Sequence, residues 1–137
     1  MSLSRAELQR LVESRAGQRC EYCGMHQALQ GASFHVEHIV PSSLGGTDTL
    51  ENLAYACPGC NLKKSNRLMA ADPVTGTAVR LLHPRLDRWD EHLAWQGYTL
   101  RGLTPIGRTL IAAFDLNHER RCRILQAEAL FGLFPRP

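Results

Sequence analysis

The spacing of apolar and polar positions divides the chain into two textures. Near the N-terminus Leu8, Leu11 and Val12 recur at helical intervals, Ser4 and Glu7 stand three residues apart as a capping box does, and Gly17 follows as a stop. This spacing predicts a helix over about residues 5 to 16. In "SFHVEHIV" the period changes to two, with Phe34 and Val36 on one face and His35 and Glu37 on the other, until Pro41 ends the run. A turn-rich "SSLGGTDT", a second short strand "NLAYAC" and a helical "NLKKSNRLMA" that starts at or just after Cys60 complete a strand, loop, strand, helix unit.

Beyond Ala71 the pattern is that of packing. "DPVTG" is turn chemistry and "TAVRLL" reads as a strand. "RWDEHLAWQ" sets Trp89, Leu93 and Trp95 against polar Arg88, Asp90 and His92, and Gln96-Gly97 turns the chain back into "YTLRGL". Thr104 and Pro105 form an N-cap and first helical position for a helix with Ile106, Leu110, Ile111 and Phe114 inward. Asn117 then caps a last helix with Ile124, Leu125 and Phe131 inward. The expected architecture is α+β in one domain over 1–137: a core at about 18–70 and a C-terminal elaboration of hairpin and helices at about 71–137.

Composition changes this picture little. The 137 residues carry ordinary apolar and charged fractions for a globular chain, and no run approaches the ~18 apolar residues of a membrane span. The N-terminal stretch is amphipathic rather than an apolar signal core, so the cytoplasm is the expected address. A formal charge of +3 and a pI near 8.7 are only mildly basic. Distribution says more. Lys63, Lys64 and Arg67 follow one another without an acid beside the second cysteine pair, whereas Arg120, Arg121 and Arg123 in "HERRCR" read as a solvated helix face.

The cysteines change it greatly. Cys20/Cys23 and Cys57/Cys60 are two Cys-x-x-Cys knuckles, the spacing of a closed tetrahedral zinc site that adds folding energy to a short segment. A secreted disulfide scaffold is disfavoured by the odd count of five, and a thiol redox centre by the presence of two pairs around a ββα pattern. Cys122, in an apolar helical stretch, reads as a buried structural thiol.

Between the knuckles lie Glu37, His38 and Asn52, and Asn61 follows the fourth cysteine directly. Hydrolysis of a phosphodiester needs an activated water, stabilised phosphoryl charge and help for the leaving 3′ oxygen. His38 suits the general base. Glu37 and Asn61 offer hard oxygens that suit Mg²⁺ or Mn²⁺, and Asn52 would orient the His38 segment. His35, two residues before Glu37, is a further ligand or phosphate contact to be weighed against an exposed strand histidine. Outside this set His26, His83, His92 and His118 read as ordinary structural or surface residues, and Trp89, Trp95 and Tyr98 as core.

These segments, "CEYC", "VEHIVP", "GG", "ENLAYAC" and "CNLKK", resemble the HNH endonucleases of the ββα-metal fold, in the subgroup braced by a four-cysteine zinc, over about residues 19 to 67. The resemblance implies Glu37 as the metal-binding acid, where the family more often has Asp or His. It implies His38 as the general base, Asn52 as the central asparagine and Asn61 as the residue completing the metal site. It also implies cleavage of DNA to a 5′ phosphate and a 3′ hydroxyl. Lys63, Lys64 and Arg67 are then expected on the phosphate backbone. The alternative is a zinc-braced DNA-binding module without catalysis, which needs the cysteines and the basic helix but not the Glu37, His38, Asn52 and Asn61 set. Cleavage specificity, strand count, oligomeric state and the choice of DNA or RNA are not written in the sequence.

Overall fold

The first helix, α1 (Arg5–Arg15), starts where its capping residue stands: Ser4 Oγ accepts from the Glu7 amide at 3.1 Å. The computed structural model describes residues 3–31 and 33–136. Of the apolar stripe on α1, Val12 is buried and Leu8 packs on the core, but Leu11 lies largely in solvent.

β1 (His35–His38) and β2 (Leu53–Ala56) pair antiparallel, with His35 opposite Ala56 and His38 opposite Leu53. All four residues of β2 are buried, because α1 and α2 both pack against it, and "LAYA" accordingly shows no polar alternation. α2 (Pro58–Lys64) begins ahead of Cys60 rather than after it. Its cap is a cysteine: Cys57 Sγ accepts from the Cys60 amide at 3.4 Å and Pro58 supplies the pre-set first position.

α2 also stops early. Ser65 turns to a positive φ of 50°, and Met69 and Ala70 of the expected helical run instead open β3 (Met69–Ala71), which pairs with β4 (Ala78–Arg80). The intervening turn is held by Asp72, which accepts from Val74 N at 3.0 Å and Thr75 Oγ1 at 3.1 Å. That closure makes the strand pairing local and outweighs helix continuation.

A one-turn helix, α3 (Trp89–His92), leads into the hairpin β5 (Leu93–Gln96) and β6 (Thr99–Gly102). α4 (Pro105–Phe114) is capped as expected, Thr104 Oγ1 accepting from Gly107 N at 3.2 Å, and its Leu110 and Phe114 are fully buried. It packs on α2, α3, β3, β4 and β6, so it joins the later hairpins to the ββα unit. α5 (Glu119–Leu130) starts one residue later than expected. His118 Nδ1 is the cap, and Asn117 instead bridges the Leu100 backbone, accepting at 2.6 Å and donating at 2.9 Å. Phe131 is exposed rather than inward, and Cys122 is half-buried with its thiol on the Asn117 carbonyl.

The fold is thus α+β, with three separate two-stranded sheets and one buried cluster from Val12 to Leu125 among the described residues. No described helix is long and apolar enough to cross a membrane.

Candidate functional site

The four paired cysteines converge. Their sulfurs all lie within 4.8 Å of one another and all four residues are buried. A tetrahedron with metal–sulfur arms of ~2.3 Å has edges of about 3.8 Å, and Cys23 Sγ lies 3.8 Å from Cys57 Sγ. Burial pushes the Cys20 and Cys60 thiols well above their ordinary value, while hydrogen bonds from the other three hold Cys57 far below it. A divalent ion bound here displaces those protons, which makes its affinity fall in acid. The donor set, the spacing and the burial all fit zinc.

Tyr22, inside the first knuckle, links this cluster to the next one. Its hydroxyl donates to Glu37 Oε1 and its ring packs edge-on against Phe114, 5.6 Å between centroids. Glu37 Oε2 lies 3.1 Å from Lys64 Nζ, and Lys64 Nζ also donates to the His38 carbonyl at 3.0 Å. The Glu37 side chain is 8% exposed and that of Lys64 2%. Lys64 is therefore not on the surface where a phosphate backbone would lie; its ammonium holds the β1 end in place. This corrects its assignment as a phosphate contact. Glu37 is buried for the same reason. Burial pushes its carboxyl up, against the lowering effects of Tyr22 and Lys64.

His38 is partly open. Its Nε2 meets Asp48 Oδ1 at 2.5 Å, with the Asp48 side chain 83% exposed on the loop between the strands. An ionised carboxylate only accepts, so whenever the ring is neutral in this contact Nε2 is the donor and Nδ1 keeps the lone pair. Asp48 is the member that reading the sequence missed; its only signal was an acid in the loop following the histidine.

Asn52, immediately before β2, fastens that loop. Its Oδ1 accepts from Val40 N at 2.9 Å, and its Nδ2 donates to the carbonyls of Val40 at 3.0 Å and Thr47 at 2.9 Å. The loop passes so close that a Cβ on Gly46 would stand 1.7 Å from the Val40 oxygen. A side chain there is excluded, which explains the glycine.

Glu37, His38 and Asn61 line one open cleft of about 410 Å³, together with Ser42, Ser65 and Asn66. His35, at the far end of β1, is exposed and is not among the lining residues. Lys63 is exposed, and exposed Arg67 bends back to donate to the Lys63 carbonyl at 2.6 Å. The four remaining histidines behave as local structure: His26, His83 and His118 accept backbone amides and His92 bonds Thr104.

The arrangement offers an imidazole nitrogen, a carboxylate and an amide oxygen around one opening, on one strand, β1, and on a helix, α2, whose start is made by the thiol cluster. One protein-family model, described as HNH endonuclease, matches residues 20–67. Over that segment the strand, strand, helix order is consistent with the ββα-metal fold, and the four converging cysteines are consistent with an HNH domain of the zinc-braced kind. No curated protein and no solved structure gives a match to the chain. Family and cysteine cluster together give the segment a nuclease or DNA-binding role with a metal site.

Proposed function

We propose that the chain is a metal-dependent endonuclease that hydrolyses DNA phosphodiester bonds, with His38 as general base and a hard divalent ion, Mg²⁺ or Mn²⁺, held by Glu37 and Asn61. The observation that carries the reading is the meeting of Glu37, His38 and Asn61 in one open cleft. A carboxylate has about four lone-pair positions, and Tyr22 and Lys64 use two of them. The remaining capacity, with the Asn61 amide oxygen, fits an ion that prefers oxygen and keeps several waters. When bound, the ion supplies charge stabilisation for the phosphoryl oxygens and the leaving 3′ oxygen.

The protein's own part is to prepare the water. Asp48 keeps Nε2 protonated, so His38 Nδ1 takes the proton from water as the new oxygen–phosphorus bond forms. The bond to the 3′ oxygen then breaks, leaving a 5′ phosphate, and the 3′ oxygen takes a proton from solvent water in the open cleft. Asn52 fixes the loop that carries Asp48 and acts as a positioning residue. Tyr22 and Lys64 hold Glu37, and Lys63 and Arg67 offer positive charge to the backbone phosphates.

Plasmid relaxation with Mg²⁺ or Mn²⁺ against EDTA tests the reading. Nicked or linear product only with the ion, and its loss in His38→Ala with DNA retention unchanged, is the expected result. One observation favours a second reading, a DNA-binding module without catalysis: Lys64 already neutralises Glu37, so the pair is complete without an ion. DNA retention with no cleavage in any divalent ion would establish it instead.

A further inference from the structure

Of the three arginines in "HERRCR", Arg120 and Arg123 are exposed and Arg123 pairs with Glu119 on its own helix at 2.6 Å. Arg121 turns the other way. Its Nη2 points at Cys60 Sγ, 3.6 Å away, and its Nη1 at Cys57 Sγ and Met25 Sδ, at 3.9 and 3.7 Å. Gly59, between the two cysteines, leaves the space: a Cβ there would stand 2.9 Å from Arg121 Nη2. A second contact holds the same helix nearby. Glu128, fully buried, accepts from the His26 amide at 3.1 Å and lies 3.8 Å from Arg19 Nη1. α5 therefore bridges both knuckles although it lies outside the matched segment.

A divalent ion on four thiolates has a net charge of −2, and a buried charge of that size needs compensation. Two backbone amides supply part of it, Cys23 N to Cys20 Sγ at 3.5 Å and Cys60 N to Cys57 Sγ at 3.4 Å. The Arg121 guanidinium adds a full positive charge and two N–H groups in a rigid fork.

We propose that Arg121 is a fifth, outer member of the zinc site, which offsets part of the charge of the tetrathiolate and makes docking of the C-terminal helix depend on metal loading. The inference rests on the four-cysteine site and not on catalysis. Outer partners of this kind change metal affinity by about 10–100-fold.

The test uses the full zinc-loaded chain with Arg121→Met and Arg121→Lys. Zinc transfer to excess 4-(2-pyridylazo)resorcinol should quicken on the order of 10–100-fold in Arg121→Met and less in Arg121→Lys, which keeps the charge but loses the fork. After substitution with Co²⁺, the thiolate-to-metal charge-transfer band should move to longer wavelength in Arg121→Met, because the sulfur lone pairs lose their N–H donors. Faster release with an unmoved band would make Arg121 a packing residue and sink the proposal. So would release within twofold of the wild type. Should Arg121→Met fail to fold, a wild-type rate and band in Arg121→Lys would overturn it equally.

Discussion

Each half of the molecule holds a buried carboxylate in an ion pair, and the two pairs are used differently. In the ββα segment Lys64 meets Glu37 with a single ammonium, Tyr22 takes the other oxygen, and the carboxylate still lines a cleft. In the C-terminal half Arg108 grips Asp72 with two bonds, Nε at 2.8 Å and Nη2 at 2.7 Å, while Val74 N and Thr75 Oγ1 occupy the rest. The consequence is electrostatic. Burial leads in pushing Glu37 up, whereas the Arg108 hydrogen bonds hold Asp72 far below the carboxylate range. Burial alone does not mark a site; spare lone pairs beside an opening do.

The largest effect should come from the thiols, which support the first half and have no counterpart in the second. Cys57→Ser, or zinc removal by a strong chelator, should abolish the cooperative thermal transition of the ββα unit, since structural zinc contributes about 10–16 kcal/mol in small domains. Metal analysis with a circular-dichroism melt checks this. Full zinc content and a native melt in Cys57→Ser would remove the metal from the account of the fold.

Next, Lys64→Met should cost about 3–5 kcal/mol by leaving Glu37 buried without its partner, and the double variant Glu37→Gln/Lys64→Met should cost much less. Urea unfolding of the three proteins measures both. Equal losses in single and double variants would show that Lys64 matters for packing rather than for charge.

His38→Ala should lower cleavage by on the order of 10²-fold or more without weakening DNA retention, and Asp48→Ala by a smaller factor of the same kind. Single-turnover assays in Mn²⁺ separate the two. Undiminished cleavage by His38→Ala would remove it from the mechanism.

The two carboxyls should also respond to pH with opposite signs. Asp72 is depressed in the fold, so its contribution is full above the unfolded value of ~3.9 and is lost as pH falls from there through the lower folded value. Glu37 is raised, so its contribution is full below the unfolded value of ~4.3 and is lost as pH climbs through the higher folded one. The stability gap between wild type and Arg108→Met should therefore begin to narrow below about pH 4 and go on narrowing as the acid strengthens. A gap that persists in acid would mean that Arg108 acts through packing.

Smallest of all, Lys63→Ala should weaken DNA binding modestly and reduce the salt slope by about one, a change that buried Lys64 cannot produce directly. Fluorescence anisotropy at several salt concentrations reads it, and an unchanged slope would take Lys63 off the phosphate path.

What the chain makes legible is whatever depends on near neighbours. Two Cys-x-x-Cys pairs announce a metal cluster because each knuckle is a local turn, and the strand, loop, strand, helix order follows from period and punctuation. Ser4 and Thr104 start their helices as read, since a cap needs only the next three residues. The start of α2 was misplaced because a cysteine is not an ordinary cap: Cys57 takes that role in a knuckle closed by residues 34 positions earlier. The roles of charged side chains were the least legible. Lys63 and Lys64 are adjacent and chemically identical, yet one faces solvent and the other sits on Glu37, because successive helical residues point about 100° apart and packing decides which points inward. Arg121 looked like its neighbours for the same reason. The sequence by itself determined that four thiols could hold a metal and that an acid, an imidazole and two amides lie around them; only the tertiary structure decided which charges pair with one another, because desolvation and long-range contact have no local signature.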